Sequence, residues 1–543
     1  MVLNQTPPLA DYNLFTTDQA LTLATRREGA AHHLEQLAID GATIGSAANF
    51  EHGRLANRNP PLLQNFDVRG ERIDEIEFHP SWHALMEGIA ARGYHSAPWV
   101  GGGAGAHVAR AAGYLMQAQV ECGTLCPTTM TYGGIAALRR DPELAKSWVP
   151  RLLTRRYDPR DIPIETKLGG LIGMGMTEKQ GGSDVRANTT RAVRGADGSY
   201  RVTGHKWFFS APQCDAHLVL AQAEGGLSCF FMPRRLPDGS RNAIFIQRLK
   251  DKLGNRSNAS SEVEFIDAWT LLLGEEGRGV PTILEMGTYT RLDCLIGTAG
   301  MMRQALVQAL HHAHHRKVFG SALLDQPLMR SVLADLALES EAATALSMRL
   351  ARAFESDAPS ELALRRALTS AAKFWVCRRG CELAAEAMEV LGGNGYTEEL
   401  PLARIAREMP VNSIWEGSGN IMCLDVLRAF AKSPVTCELV LHELSGARGG
   451  DRRFDAEFER FAAVLGAPGF QEARARRVAQ SFVTLMQASL LLAAAASGTP
   501  AAARVAEGFC ATRLDRESGW GAVFGAGETD VDTVAILERA WTE

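Results

Sequence analysis

The stretch Ile414-Trp415-Glu416-Gly417-Ser418-Gly419-Asn420 places one carboxylate between an indole and a pair of glycines. A carboxylate beside a large apolar ring loses hydration, so we expect the pKa of Glu416 to be raised and the group to act as a base near neutral pH. The glycine that follows lets the backbone approach a flat ligand closely. Taken alone, Glu-Gly also marks a helix end, so the interpretation depends on the surrounding segments.

Length and composition describe an ordinary globular chain. The chain has 543 residues, of which 46% are hydrophobic and 22% charged. This length exceeds one hydrophobic core and indicates roughly two to four domains. The net charge of −5 argues against attraction of the whole surface to nucleic acid or anionic lipid, although a local basic groove is compatible with it.

The chain shows no sign of secretion or membrane insertion. Its N-terminus lacks a basic-then-apolar signal peptide, and the apolar run at 490–496 is too short to span a bilayer. The ten cysteines are too sparse for a disulfide scaffold. We therefore expect reduced, buried thiols, a cytoplasmic location and no membrane partner.

A histidine cluster near residue 313 raises the question of a metal site. Histidines four positions apart share a helix face, but a zinc site needs a third ligand and supporting carboxylates. The pattern therefore favours structural or phosphate-proximal histidines, and no metal is expected. The histidines concerned are His311, His312, His314 and His315.

Periodicity divides the chain into helical, β-rich and helical regions. Apolar spacing near 3.6 at 79–86 and 106–121 indicates helices in the first part. Short β-rich runs between Gly, Asp and Asn turns then indicate a compact antiparallel β-domain. The pattern predicts an N-terminal helical domain (1–168), a β-domain (169–280), a helical bundle (281–433) and a C-terminal helical domain (434–543).

Four further segments accompany the Glu-Gly turn in the chain. They combine hydroxyls, glycines, aromatic rings and an arginine, the groups that hold a flat, phosphate-bearing ligand. Each segment alone is a weak signal, whereas the ordered set is strong. The segments are Met176-Thr177-Glu178-Lys179-Gln180-Gly181-Gly182-Ser183-Asp184, Lys206-Trp207-Phe208-Phe209-Ser210, His315-Arg316-Lys317-Val318-Phe319-Gly320 with Gln326, and Leu391-Gly392-Gly393-Asn394-Gly395-Tyr396.

The ordered set resembles the motifs of the acyl-CoA dehydrogenase family of flavoproteins. The resemblance implies an α+β, mostly α fold with an N-terminal helical domain, a central antiparallel β-domain and a C-terminal helical bundle, here followed by an extra C-terminal helical domain. It implies FAD as cofactor and acyl-CoA as a partner, with Glu416 as the catalytic base. It also implies a homo-oligomer, a tetramer in this family, because the arginine at position 316 reaches the FAD of a neighbouring subunit.

The resemblance assigns the remaining site residues by position. Three departures from the family pattern are visible: the hydroxyl of Ser210 falls one position late, Glu389 replaces a glutamine, and Trp415 replaces a tyrosine. The residues implied to bind FAD are Met174, Met176, Thr177, Gly182, Ser183, Trp207, Phe208, Phe209, Ser210, Arg316, Phe319, Gln326, Gly392, Gly393, Ile414, Trp415, Gly417, Ser418 and Asn420.

Within the family, the chain is similar to the bacterial flavoproteins of the adaptive response to DNA alkylation. In them the C-terminal domain binds double-stranded DNA, which is therefore an implied partner. From residue 431 onward, 12 Lys and Arg face 15 Asp and Glu, a net charge of −3, so a salt-bridged helix surface explains the arginines equally well. The candidate DNA-binding residues are Arg428, Arg448, Arg452, Arg453, Arg474, Arg476 and Arg477.

Three functions remain open at this point. The first is a DNA-binding flavoprotein that limits alkylation damage and has at most weak, isovaleryl-CoA-like dehydrogenase activity. The second is a metabolic acyl-CoA dehydrogenase without a DNA role. The third is a non-catalytic DNA-shielding protein in which FAD is structural. The flavin motifs and Glu416 fit all three, because fold and ancestry do not determine function.

Overall fold

The computed structural model describes residues 3–101, 103–467, 469, 471–515, 523–527 and 531–541. Gly102 and parts of the predicted C-terminal domain lie outside them. The helices are α1 (Gln19–Thr25), α2 (Leu34–Ile44), α3 (Ala47–Arg58), α4 (Pro80–Arg92), α5 (Ala106–Ala118), α6 (Leu125–Leu138), α7 (Pro142–Leu152), α8 (Gly279–His315), α9 (Pro327–Arg352), α10 (Pro359–Val390), α11 (Pro401–Ile414), α12 (Gly419–Lys432), α13 (Pro434–Ser445), α14 (Arg452–Gly466), α15 (Ala475–Ser497), α16 (Pro500–Arg513) and α17 (Thr533–Ala540).

The strands are short and mostly central in the chain. They are β1 (Leu62–Phe66), β2 (Arg72–Glu77), β3 (Ile172–Gly175), β4 (Arg191–Arg194), β5 (Tyr200–Ser210), β6 (Ala216–Ala223), β7 (Gly226–Pro233), β8 (Ile244–Leu249), β9 (Ser260–Leu273), β10 (Lys317–Val318) and β11 (Ser321–Ala322). The chain separates into two compact units. Unit 1 comprises Met1–Ala47, Ala104–Gln119 and Arg291–Glu543, and unit 2 comprises Ala48–Gly103 and Val120–Thr290.

Unit 2 is built on a seven-stranded sheet. The strand order is β3-β5-β4-β6-β7-β9-β8, and β5 also pairs with β9. Alternate residues of these strands face a common core that includes Val202, Phe209, Val219, Phe230 and Phe265. The β-rich runs read from the sequence therefore correspond to the central strands of this sheet.

Two details of unit 2 differ from the sequence-based expectation. The sheet is not wholly antiparallel, since β3 runs parallel to β6. The first part of the chain was expected to be mostly helical, but β1 and β2 form an antiparallel hairpin there. Its turn is closed by the N–H of Gly70 donating to the Asp67 carbonyl at 3.0 Å, and Gly70 has a φ of 81°, which glycine adopts without strain.

Unit 1 is a helical assembly in which α15 is central. An aromatic cluster joins three of its helices: Phe430 of α12, Phe461 of α14 and Phe482 of α15, with the last two rings stacked at 5.8 Å. The stretch Glu472–Ala496 is 25 residues long and apolar enough to cross a membrane by length and composition, but 72% of its most apolar window is buried inside the protein. The apolar run is thus longer than the sequence suggested, and its burial identifies a core helix.

All ten cysteines are free thiols, and most are buried. Burial raises the pKa of the Cys229 thiol to about 12, because a thiolate is poorly solvated there. These side chains therefore act as small apolar core residues. In the described part of the chain, no group of three or more His, Cys, Asp or Glu side chains is placed to hold a metal ion.

Candidate functional site

The Glu-Gly turn lies between α11 and α12 in unit 1. Trp415 ends α11, and Glu416 and Gly417 both adopt left-handed backbone conformations, with φ values of 59° and 112°. For a residue with a Cβ atom this conformation costs about 1–2 kcal/mol. The surrounding structure must supply that energy, which makes the turn a place where strain is held for a purpose.

One partly buried cation, Arg291, and one buried cation, Lys373, hold this turn. The Arg291 guanidinium donates from Nε to the Glu416 carbonyl at 2.9 Å, and the Lys373 ammonium donates to the Gly417 carbonyl at 2.8 Å. The Lys373 side chain is almost fully buried, at 1% relative exposure. Both backbone carbonyls of the strained turn therefore accept charged hydrogen bonds, the stronger class of such bonds.

A second set of bonds orients the indole beside the carboxylate. Trp415 donates from Nε1 to the Asn412 side-chain oxygen at 3.0 Å, and the Asn412 amide donates to the Thr298 hydroxyl at 3.0 Å. The Thr298 hydroxyl donates to the carbonyl of Cys294 at 2.7 Å. This chain runs through the buried interior to α8, so the indole is held in one orientation.

The Glu416 carboxylate is close enough to influence a buried thiol. Burial raises the pKa of the Cys294 thiol well above its ordinary value, and the negative charge of Glu416 raises it further, against the opposing effect of Lys373. Cys294 therefore stays protonated and is not a nucleophile. Glu416, only partly buried, remains as the exposed reactive group of the turn.

The Arg316 segment of unit 1 follows the end of α8. Phe319 has a φ of 49° and is 98% exposed. Gln326 precedes α9 without a capping side-chain bond, and its amide donates to the Ser321 hydroxyl at 2.7 Å. At Gly392 and Gly393, an added Cβ would meet nothing within 4 Å. Phe319 and the two glycines therefore lie on open surface rather than in packed core.

The flavin-type loop of unit 2 is organised by a fully buried ion pair. Lys206 Nζ lies 2.8 Å from Glu178 Oε1, and both side chains are 0% exposed. Burial favours the protonated acid, but the Lys206 ammonium and hydrogen bonds from two threonines outweigh burial and lower the pKa of Glu178 to about 2. The N–H of Trp207 also donates to the Thr177 carbonyl at 2.9 Å, which attaches the loop to β5.

The aromatic segment of β5 divides between core and surface. Phe209 is fully buried and lies against the His217 ring at 4.2 Å, so its side chain is not available to a ligand as the resemblance implied. Phe208 is 51% exposed. The Lys250 ammonium lies 3.5 Å from the centroid of the Trp207 ring, a cation–π contact that takes up one face of the indole.

The glycines before the flavin-type loop have a packing role. A Cβ at Gly173 would lie 2.3 Å from the His217 ring, and a Cβ at Gly175 would lie 2.4 Å from the Phe209 ring. Met174 between them is itself 93% buried, at 7% exposure. These glycines in β3 are therefore explained by close packing in the sheet and not by a ligand.

The hydrogen-bond donors of these loops fit FAD. The N–H groups of Gly182 and Ser183 and the Ser183 hydroxyl have no hydrogen-bond partner among the described residues, and both residues are exposed. Gly181, whose own N–H donates to the Glu178 carbonyl at 3.0 Å, adopts a φ of 141°, a conformation that favours glycine. The open Gly392–Gly393 backbone and the Arg316 guanidinium add a phosphate-binding set in unit 1.

The candidate DNA-binding arginines fall into separate groups. Arg474 and Arg477 line one cavity of about 390 Å³ together with Arg460, and Arg428 lines a cavity of about 620 Å³. Gly469 borders both cavities, which places them side by side. Arg452 is exposed at the start of α14.

The other arginines are engaged within the protein. Arg448 pairs with Glu459 at 2.5 Å and Arg453 pairs with Asp451 at 2.7 Å. Arg476 donates from Nε to the Asn420 side-chain oxygen at 2.9 Å. Arg448, Arg453 and Arg476 are therefore each held by a neighbouring side chain, whereas Arg474 and Arg477 line one cavity and Arg428 lines the adjacent one.

Sequence reasoning missed the residues that support the turn, Arg291, Lys373, Thr298 and Asn412. One signal was available: Lys373 is a single charge within the apolar run Ala371-Ala372-Lys373-Phe374-Trp375, and a lone buried lysine calls for a specific acceptor. The pairing of Arg291 with a carbonyl 125 positions away leaves no local trace in the sequence.

Comparison with known proteins assigns the chain to a family. Its residues 4–159 match the model of the adaptive response protein AidB N-terminal domain, and 173–268 and 277–431 match the middle and C-terminal domains of acyl-CoA dehydrogenases. It is 54% identical over 470 residues to the putative acyl-CoA dehydrogenase AidB of Escherichia coli K12, covering 86% of this chain and 87% of that protein. The chain belongs to the AidB branch of the acyl-CoA dehydrogenase family.

Solved structures of the acyl-CoA dehydrogenase family share the fold. Caenorhabditis elegans ACDH-11, in complex with C11-CoA, has a TM-score of 0.85 at 25% identity and covers 94% of this chain and 93% of that chain. A Bacillus anthracis acyl-CoA dehydrogenase complexed with FAD has a TM-score of 0.67 at 20% identity, covering 79% and 80%. The predictions of the fold class and of FAD as cofactor are thereby confirmed.

Proposed function

We propose that this AidB-like protein is an FAD-containing homo-tetramer that binds double-stranded DNA and limits alkylation damage, with weak dehydrogenase activity on short or branched acyl-CoA. The observation that carries the proposal is the identity of 54% to AidB together with a complete Glu416 turn. The cavity lined by Arg460, Arg474 and Arg477 supports the DNA role. The proposed location is the cytoplasm.

The chemistry assigned to the chain is proton abstraction. The Glu416 carboxylate removes the proton from the carbon next to the thioester carbonyl of the acyl group. FAD, when bound, supplies the acceptor for the hydride that leaves the neighbouring carbon. Arg291 and Lys373 keep the carboxylate-bearing turn in place, and Trp415 forms a fixed apolar wall that limits the acyl groups that fit.

The test of this role is Glu416→Gln. The amide keeps the shape of the side chain and removes the basic lone pair, so anaerobic flavin bleaching by an isovaleryl-CoA panel should slow by more than about a hundredfold. FAD content and melting temperature should stay at the wild-type values. Glu507→Gln, an exposed surface glutamate paired with Arg504, is the matched control. Bleaching at the wild-type rate in the Glu416 variant would show that another group takes the proton.

The DNA role rests on a surface that is net acidic in composition but locally basic. Arg474 is exposed, and it lines the same cavity as Arg477 and Arg460. Phosphate contacts make affinity fall steeply with salt and depend little on sequence. Weak sites of this kind gain strength when several subunits present them to one duplex.

Point variants test the DNA role without removing helices. Arg474→Gln with Arg477→Gln should weaken duplex binding and flatten the slope of log K against log salt by roughly 1–2, because each neutralised phosphate contributes about −0.9. Arg504→Gln, an exposed arginine of the same unit, should leave the slope unchanged. An unaltered slope in the double variant places the DNA contact elsewhere.

Exposed aromatic side chains support self-association. Phe319 is 98% exposed and Tyr396 is 82% exposed, and large apolar groups at such exposure mark interaction surfaces when they lie in functional loops. Both belong to the segments through which the family reaches a neighbouring subunit. Light scattering should therefore give the mass of four chains of 58.8 kDa each.

A metabolic role is the second candidate. It is favoured by the likeness to C. elegans ACDH-11, which was solved with C11-CoA. On this alternative, longer acyl-CoA would bleach the flavin rapidly and duplex DNA would not bind. A third alternative, a DNA-shielding protein with structural FAD, predicts DNA binding with no bleaching by any acyl-CoA.

A further inference from the structure

An exposed N-terminal segment, residues 4–7, lies along the end of α8 without forming a helix or strand. Asn4 makes a two-point contact with the backbone of Lys317: its Nδ2 donates to the Lys317 carbonyl and its Oδ1 accepts from the Lys317 N–H, both at 2.8 Å. Asn4 has a φ of 54°, a conformation that asparagine tolerates better than most residues. The contact is therefore specific in both donor and acceptor.

The next residues continue the same attachment. The Thr6 hydroxyl lies 2.9 Å from His312 Nδ1, and His311 Nε2 lies 2.9 Å from the Pro7 carbonyl. Two of the four histidines that raised the question of a metal site, His311 and His312, thus bind this segment. An exposed, irregular segment held by consecutive side-chain contacts is unusual, because such segments are commonly poorly ordered unless they are tied down.

The segment also contacts both loops of the phosphate-binding set. Arg316 donates from Nη1 to the Asn4 carbonyl at 2.5 Å, and Asn394 of the Gly-Gly-Asn-Gly loop donates to the Gln5 side-chain oxygen at 3.4 Å. Residues 4 and 5 therefore connect Arg316 and Asn394, which are 78 positions apart in the chain. The segment has no acidic side chain, so it adds no repulsion toward a phosphate.

Arg316 is only partly satisfied by these contacts. A guanidinium carries five N–H donors, and the contact with the Asn4 carbonyl is its one side-chain hydrogen bond among the described residues. The side chain is neither buried nor fully exposed. Anchoring a long, flexible arginine at one nitrogen holds the remaining donors in a fixed direction, which lowers the entropy lost on binding an anion.

We propose that residues 4–7 form part of the FAD-binding half-site, with Asn4 as a positioning residue that holds Arg316 for the pyrophosphate and ties its loop to the Asn394 loop. The proposal rests on the role in FAD binding proposed above for Arg316. It assigns to the N-terminal segment a share of cofactor affinity and no part in maintaining the fold.

The test compares FAD affinity in matched variants of the full chain. Asn4→Gly keeps the left-handed backbone accessible and removes both side-chain contacts with Lys317. We expect the Kd for FAD, measured by flavin fluorescence on reconstituted apoprotein, to rise roughly tenfold, with the melting temperature of the apoprotein unchanged. Thr6→Val should act in the same direction, while Thr6→Ser keeps the hydroxyl and restores affinity. Leu3→Ala, exposed at 71%, is the control and should match wild type.

A double variant separates positioning from a direct effect. If Asn4 acts through Arg316, then Asn4→Gly combined with Arg316→Ala should bind FAD no more weakly than Arg316→Ala alone, since coupled residues are not additive. A wild-type Kd in Asn4→Gly, tighter FAD binding, or fully additive losses would each overturn the proposal. A wild-type protein that takes up no FAD would overturn the proposed function itself, which is a different outcome.

Discussion

Replacing Lys373 by methionine should impair the Glu416 turn without harming the fold. The Lys373 ammonium is 1% exposed and donates to the Gly417 carbonyl at 2.8 Å. It has no acidic partner within salt-bridge distance among the described residues. Methionine has nearly the same length and fills irregular core space well, so the substitution removes the charge and leaves the packing.

The two energies involved act in opposite directions on stability. A hydrogen bond to a charged group contributes about 1.5–3 kcal/mol, and its loss destabilises the folded state. Burial of an ammonium costs several kcal/mol in desolvation, which the single carbonyl only partly offsets. The desolvation relief is at least as large as the lost bond, so we expect the melting temperature of Lys373→Met to equal or exceed the wild-type value.

The rate of flavin reduction should respond to Lys373→Met differently from the melting temperature. Without the ammonium, the Glu416–Gly417 turn loses about 1.5–3 kcal/mol of bias toward its strained conformation. At about 1.4 kcal/mol per factor of ten, the rate of flavin reduction by acyl-CoA should fall roughly ten- to hundredfold. Stopped-flow bleaching and thermal melting on the same preparation measure both effects. Lys432→Met, at an exposed lysine at the end of α12, controls for the loss of one charge.

Two outcomes would refute this reasoning. Reduction at the wild-type rate in Lys373→Met would show that the turn is held without the ammonium. A melting temperature several degrees lower, with proportionate loss of all activities, would show that Lys373 serves the fold.

Three further predictions follow from the site and its charges. Because the pKa of Glu178 is lowered to about 2, its stabilising effect is present above the usual pKa of about 4.5 and is lost as pH falls toward 2. Urea unfolding should thus show Glu178→Gln less stable than wild type at pH 7, with the difference narrowing as pH falls from 4.5 toward 2, and a constant difference would contradict the assignment. Arg316→Ala should lose FAD from an otherwise folded protein, as absorbance at the flavin band reports; full FAD in a dissociated monomer would contradict a shared half-site. Arg448→Gln should leave DNA affinity within about twofold of wild type in a gel shift, because Glu459 already neutralises this arginine. A large loss of DNA affinity would show that Arg448 contacts DNA.

The Glu-Gly turn could be predicted because its chemistry is local. A carboxylate followed by glycine is recognised from two adjacent residues of the sequence. In the structure Glu416 adopts a left-handed conformation at that position. Its supports could not be predicted, since Arg291 and Lys373 act through carbonyls of residues distant in the chain. Periodicity reports which face of a helix is buried and not which acceptor lies opposite a buried charge.

The aromatic segment shows a second limit. The run Trp207-Phe208-Phe209 reads as three rings near a ligand, but strand alternation sends Phe209 into the core beside His217. The arginines show a third limit. Proximity in the sequence grouped Arg448 and Arg453 with Arg474 as DNA-binding candidates. In the structure, Arg448 and Arg453 instead form ion pairs with nearby acidic residues. Motif order identified the family, and side-chain direction required the three-dimensional structure.

The central position of α15 bears on how the chain is made. This helix packs on α9, α10 and α12, which precede it in the sequence. Of these, α12 follows the Glu416 turn and α10 carries Lys373, which supports that turn. During synthesis those helices leave the ribosome first, and their apolar sides stay uncovered until α15 follows. We therefore expect the nascent chain to depend on chaperones during that interval. A chain interrupted before α15 would retain every flavin motif and still leave the faces of α9, α10 and α12 that α15 covers exposed to solvent.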